Sequence, residues 1–238
     1  MSRAQFFSVD AVASEDALLL LNRATLVMQT VRAVAHELNN VFQTISGAAE
    51  LMGFNPAFPP SLAPKLQTFA KQTTRGRELL GTVSELARTD LAPGRVTNVA
   101  RAFAQVAQLR AHEQTRAGIE VTTTLTVDSS RDVAADPVDV QMMLLNMLVL
   151  AEQSVATATT KKIEVSGISD LQTCRVVVAD TGDAHALDQP AAVHGLEYLM
   201  QSMALASIEA MVARHRGSFE RRASRTGTES VLTLPRAL

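Results

Sequence analysis

Residues 15–53 contain no proline, and small or apolar residues recur along them in alternating steps of four and three: Leu20, Ala24, Val27, Val31, Val34, Leu38, Val41, Ile45, Ala48 and Met52. This heptad seam predicts a long helix packed in a bundle rather than a solitary one. The segment Phe54-Asn-Pro-Ala-Phe-Pro-Pro-Ser61 ends it, because proline removes a backbone donor and restricts the residue before it. Ser61 is the expected cap of a second helix over 62–89, where Leu66, Phe69, Thr73, Leu80, Val83 and Ala87 repeat the spacing. Gly76 takes the seam position between Thr73 and Leu80. A glycine there costs about 1 kcal/mol against alanine, which makes this the weaker helix. Two helices joined by a short loop cannot bury two such seams alone. The pattern therefore predicts a homodimer, with residues 15–90 forming a four-helix bundle. Residues 89–94, Thr-Asp-Leu-Ala-Pro-Gly, read as a linker.

Beyond residue 95 the pattern changes. Residues 97–116 suit a helix and 118–127 a strand. Val133 to Ala151 reads as a short strand running into an apolar helix, and Lys161–Ile168 and Arg175–Ala179 as alternating or apolar strands. Residues 202–217 form a further helix, and Thr226–Pro235 supplies the last strand. The expected class is α+β: a leading segment over 1–14, a helical hairpin over 15–90, and a mixed helix-and-strand domain over 95–238.

Composition narrows the possibilities. With 47% hydrophobic residues there is ample core, and with no Trp, one Tyr and eight Phe it must be built from aliphatic side chains and Met. The net charge of -2 and the absence of a basic stripe argue against nucleic acid as a partner. No apolar run approaches the roughly 20 residues that span a bilayer, and the first residues lack a signal-peptide core. The single cysteine, Cys174, cannot form an intrachain disulfide and reads as a small buried hydrophobe on a strand. These features predict a soluble, cytoplasmic protein.

If Val31 and Val34 are the a and d positions of one heptad, His36 falls at f, pointing away from the seam. Glu37 is at g. Asn40 is at c, one turn further on and on the same side as His36. An exposed imidazole can attack a phosphoryl group, a neighbouring carboxylate can hold its proton, and an amide can orient a water or a phosphoryl oxygen. The heptad alone fits an ordinary surface histidine equally well. The other histidines, at 112, 185, 194 and 215, are scattered without metal-ligand spacing, so solvated or locally hydrogen-bonded side chains and no metal site are expected. Lys161-Lys162 and Arg221-Arg222 read as solvated strand ends.

His36-Glu-Leu-Asn-Asn40, followed by Val-Phe-Gln-Thr-Ile45, resembles the H-box of sensor histidine kinases. In that family a histidine on a dimeric hairpin accepts phosphate from ATP and passes it to an aspartate of a response regulator. The rest of the chain follows the family's order. Val133 to Ala151 resembles the strand and N-box helix, Asp180-Thr-Gly182 the G1 box, and Thr226-Gly-Thr228 the closing glycine-threonine strand. The resemblance covers roughly 15–236 and implies an α/β-sandwich, histidine-kinase-like ATPase domain after the hairpin. It assigns His36 as phosphoacceptor, with Glu37 and Asn40 assisting, and Asn146, Asp180 and Gly182 as a vestigial ATP site.

Most departures from the family pattern fall in the nucleotide boxes. Val41 replaces a common proline. The second N-box asparagine is Leu150, which offers no oxygen to Mg²⁺, and the basic residue after it is Gln153. Ala184 stands where a second glycine is usual. The lid turn, aligned from His215, reads Ser202-Met-Ala-Leu205 and lacks the glycines that let backbone approach phosphate. The resemblance then implies a histidine phosphotransferase with a degenerate ATP domain, needing no cofactor and taking phosphate from one receiver to another. The short stretch before the hairpin leaves no room for a sensor domain, as this reading expects. Two alternatives remain: an active kinase core using ATP and Mg²⁺, and a non-catalytic module that binds a regulator.

Overall fold

The computed structural model describes residues 15–88, 95–126, 133–183 and 196–237, with side chains of 15–25, 28, 29, 32 and 196–199 left aside. Among the expectations, the 1–14 segment, the 89–94 linker, Ala184, His185 and His194 lie outside the described residues, as do the side chains of Leu20 and Ala24. The chain divides into two compact units, Met1–Arg88 and Thr89–Leu238.

The first unit is a hairpin of α1 (Glu15–Phe54) and α2 (Ala63–Leu86). The two are joined through a single 3₁₀ turn, Pro60–Leu62. Ser61 lies inside that turn and does not cap α2: the cap position is Leu62, no side chain bonds to the helix end, and Pro64 occupies the first turn. Proline needs no donor partner there, so the start is fixed without a hydroxyl cap.

On α1 the hairpin's internal contact uses a different stripe from the heptad seam, and it meets Gly76 of the α2 seam. Ala35 and Ala49 are buried, and the ring of Phe42 lies over Gly76. A Cβ on Gly76 would meet that ring at 2.8 Å. The glycine is the seat of an aromatic ring and not merely a weak point. Val27, Val34, Leu38 and Val41 stay exposed, at 59%, 49%, 40% and 44%. Phe42→Ala should lower hairpin stability by about 2 kcal/mol. Gly76→Ala in that background should return about 1 kcal/mol of helix propensity. In the wild-type background the same methyl collides with the ring, so chemical denaturation of the four variants should show strong coupling.

The second unit runs α3 (Val99–Arg116), β1 (Glu120–Thr126), α4 (Pro137–Ser154), β2 (Lys162–Ser169), β3 (Thr173–Asp180), α5 (Leu196–Arg214), β4 (Ser218–Ala223) and β5 (Thr228–Pro235). The five strands form one sheet in the order β1-β2-β3-β5-β4. Only β1 and β2 are parallel, and the crossover between them carries α4. Asp136 caps α4, its Oδ1 accepting the Val138 N–H at 2.9 Å ahead of Pro137. Gly118, at φ +67°, closes α3 in the left-handed conformation that ends helices.

Alternate residues of β2 and β3, Ile163, Val165, Cys174, Val176 and Val178, face a core shared with Met143, Leu144, Met147 and Leu148 of α4 and Ile208 of α5. At the rim of this core Glu152 of α4 receives Arg110 and Gln114 of α3. Three elements differ from the sequence expectation. The short strand expected ahead of α4 is only an isolated bridge of Val133 with Thr97 and Arg236. Helix α5 begins at Leu196, six residues early, because nothing between there and Arg214 is a proline or glycine. Residues 218–223 form a strand of their own, β4.

Burial pushes the Cys174 thiol up to about 11 from 9.0, with a small opposing pull from Arg236. The folded state therefore favours the protonated thiol. Its contribution to stability is complete below pH 9.0 and is lost as pH rises through about 11. Native protein should resist thiol reagents at pH 8 and react fully once unfolded in denaturant.

Candidate functional site

The hairpin places His36, Glu37 and Asn40 on α1, all exposed. His36 and Asn40 are one turn apart and share a face. Glu37, the next residue, points about 100° away around the helix. Among the described residues no side-chain hydrogen bond or ion pair engages any of the three. The imidazole is exposed, and its nitrogens have no partner among the described residues. The Asn40 backbone carbonyl accepts the Thr44 hydroxyl at 3.0 Å, and the side-chain amide has no partner among the described residues.

Beside that face, α1 and α2 enclose a polar groove of about 480 Å³, lined by Asn39, Gln43, Thr74, Arg77 and Glu78. On another side an apolar groove of about 340 Å³ runs between Val27, Val31, Val34 and Ala35 of α1 and Leu80 and Val83 of α2. The seam residues line this second groove, and none of the three polar residues does.

In the second unit, Asn146 of α4 is half-buried. Leu150, one turn on, is 1% exposed and packs into the core. It presents an apolar side chain to its neighbours and no ligand oxygen. Asp180 ends β3, buried, with both carboxylate oxygens engaged. Its Oδ1 accepts the Ser154 hydroxyl and the Gly182 N–H, each at 2.8 Å, and its Oδ2 accepts the Thr228 hydroxyl. Ser202, Met203, Ala204 and Leu205 do not form a turn: they lie within α5, with Ala204 in the core.

Two features escaped sequence reasoning. Arg221 is not a solvated strand end. It sits in the middle of β4, half-buried, and its Nε finds no hydrogen-bond partner among the described residues. Burial draws its pKa below the usual arginine range, while Asp180 pulls it back up. Only Arg222 reaches out, to Glu229 at 3.0 Å. The second feature is Ser154, whose bond to Asp180 has no signature in spacing. His112 is exposed, and His215 is locally bonded, its Nε2 lying 2.7 Å from Asp139 Oδ2, which also accepts Arg214 at 2.9 Å. Among the described residues no group of three or more His, Cys, Asp or Glu could hold a metal ion. No helix among them is long and apolar enough to cross a membrane.

No family model and no curated protein matches the chain. Solved structures do. Full-length ShkA, determined in complex with AMPPNP, is 16% identical over 88% of this chain and 46% of its own, with a TM-score of 0.50. The catalytic domain of histidine kinase ThkA is 16% identical over 59% of this chain and 95% of its own, at a TM-score of 0.48. Acinetobacter baumannii histidine kinase AdeS is 18% identical over 84% of this chain and 96% of its own, at a TM-score of 0.44. This chain spans less than half the length of ShkA. The α+β architecture, helices followed by a mixed five-stranded sheet, is a helical region plus a histidine-kinase-like ATPase fold.

Proposed function

We propose that this protein is a cytoplasmic two-component signalling protein that carries a phosphoryl group on His36 and exchanges it with aspartates of response-regulator receiver domains. The supporting observation is a contrast between the two units. The hairpin keeps an exposed histidine, without a partner among the described residues, and an amide one turn away, whereas Leu150 lies in the core.

The residues present do not fit a Mg²⁺-nucleotide. A hard cation wants oxygen ligands, and Leu150 supplies none. An adenine amino group wants an accessible acceptor, and Asp180 is buried with both carboxylate oxygens already bonded to protein donors. An aspartyl phosphate on a receiver is a donor that needs neither. In that exchange a ring nitrogen of neutral His36 attacks phosphorus. A P–N bond forms, the P–O bond to the aspartate breaks, and the receiver's carboxylate leaves. Catalysis here is mostly positioning and electrostatics. Glu37 steadies the proton on the imidazole, and Asn40 orients water or a phosphoryl oxygen.

The exposed seam of Val27, Val34, Leu38 and Val41, with its 340 Å³ apolar groove, supports a homodimer through residues 15–90. Burying such a stripe against a second copy is worth about 25 cal/mol per Å² of apolar surface.

The test is a comparison of donors. The protein is incubated with radiolabelled ATP and Mg²⁺, and separately with a labelled, phosphorylated receiver. Label arriving only from the receiver is the expected result. Label from ATP alone would make the chain a kinase core, and binding of the receiver without any label would make it a sequestering module.

A further inference from the structure

The three donors on Asp180 come from three different places in the second unit. Ser154 is the last residue of α4, Gly182 lies just beyond β3, and Thr228 opens β5. A buried carboxylate is costly unless its oxygens are bonded, and here both are. A fourth element contributes charge. Arg221 of β4 pairs in register with Ser230, two residues along β5 from Thr228, and so stands on the sheet near Asp180.

The backbone has closed around this carboxylate. A Cβ on Gly182 would lie 2.0 Å from the Ser154 hydroxyl and 2.4 Å from its carbonyl oxygen. A Cβ on Gly227 would lie 2.0 Å from the carbonyl of Asp180. Neither contact leaves room for even a methyl group, so the chain segments touch directly where the carboxylate joins them.

We infer that Asp180 is the internal keystone of the second unit: its carboxylate fastens the end of α4 to the ends of β3 and β5, and the unit is complete without a nucleotide. The resemblance to kinases assigns the same carboxylate to adenine. The bonds from Ser154, Gly182 and Thr228 take three of the roughly four acceptor positions of this buried carboxylate and give it a structural role in the fold, with no assumption about His36. The inference shares with the proposed function only the absence of a nucleotide.

The test uses the full chain and its melting, read by circular dichroism with and without millimolar Mg-ATP. Asp180→Ala should lower the melting temperature of the second unit by about 10 °C. Ser154→Ala and Thr228→Val should each lower it by about 3 °C, and Mg-ATP should move none of the curves. If Asp180→Ala fails to fold, the two milder variants carry the test. Wild-type melting for both Ser154→Ala and Thr228→Val would overturn the inference. So would a saturable Mg-ATP shift of the wild type that Asp180→Asn removes while leaving unliganded melting unchanged. His36 takes no part in these readings, so a failed phosphotransfer assay leaves them standing.

Discussion

Replacing His36 with alanine should remove phosphoryl acceptance, lowering the label recovered from a phosphorylated receiver by about 1000-fold or more. The fold should not suffer. His36 is exposed, and its side chain makes no hydrogen bond or ion pair among the described residues. Surface substitutions of this kind stay within about 0.5 kcal/mol, and alanine is the better helix former. Loss of transfer with unchanged melting and unchanged receiver binding therefore separates chemistry from structure. Asn40→Ala should behave differently. It should keep acceptance and slow the loss of phosphate to water by about 100-fold, because the amide orients the water and does not carry the phosphoryl group. Time courses of label decay would distinguish the two variants.

A large loss of stability is expected on substituting Gly182. Alanine there would set a methyl 2.0 Å from the Ser154 hydroxyl and 2.4 Å from the Ser154 carbonyl oxygen. The hydroxyl can rotate aside, but the carbonyl belongs to the end of α4 and cannot. Gly182→Ala should therefore cost about 3 kcal/mol, or about 10 °C in melting temperature. The double variant Gly182→Ala/Ser154→Ala should recover little, since the backbone clash remains. Full recovery would mean that only the side chain stands in the way and that α4 sits less tightly on the turn after β3.

Much of this was legible in the chain. The α1 seam and the proline break after it are strong signals, because periodicity and missing donors act locally. The strand residues of β2 and β3 alternate or run apolar and read directly. The position of His36 away from the seam followed from Val31 and Val34. What could not be read is where small residues meet large ones across a fold. Ala35, Ala49 and the Phe42–Gly76 pair carry the hairpin contact, and their stripe is hidden beneath the stronger heptad. Ser61 looked like a cap because hydroxyls often are, yet Pro64 fixes the start of α2 instead. Residues 218–223 contain Glu220, Arg221 and Arg222, which read as solvent-exposed, and only pairing with β5 makes them a strand. At the candidate sites, the sequence supplied His36, Asn40, Leu150 and Asp180 as positions. The bond from Ser154 to Asp180 spans 26 residues and is set by the packing of α4 against β3.

Phosphate is expected to reside on His36. The direct measurement is tandem mass spectrometry at neutral to alkaline pH, which preserves phosphohistidine, on protein exposed to a phosphorylated receiver. One acid-labile phosphoryl group per chain, on the imidazole of His36, is the expected result. Unmodified His36 alongside a receiver that has lost its phosphate to water, or label on any other residue, would contradict it.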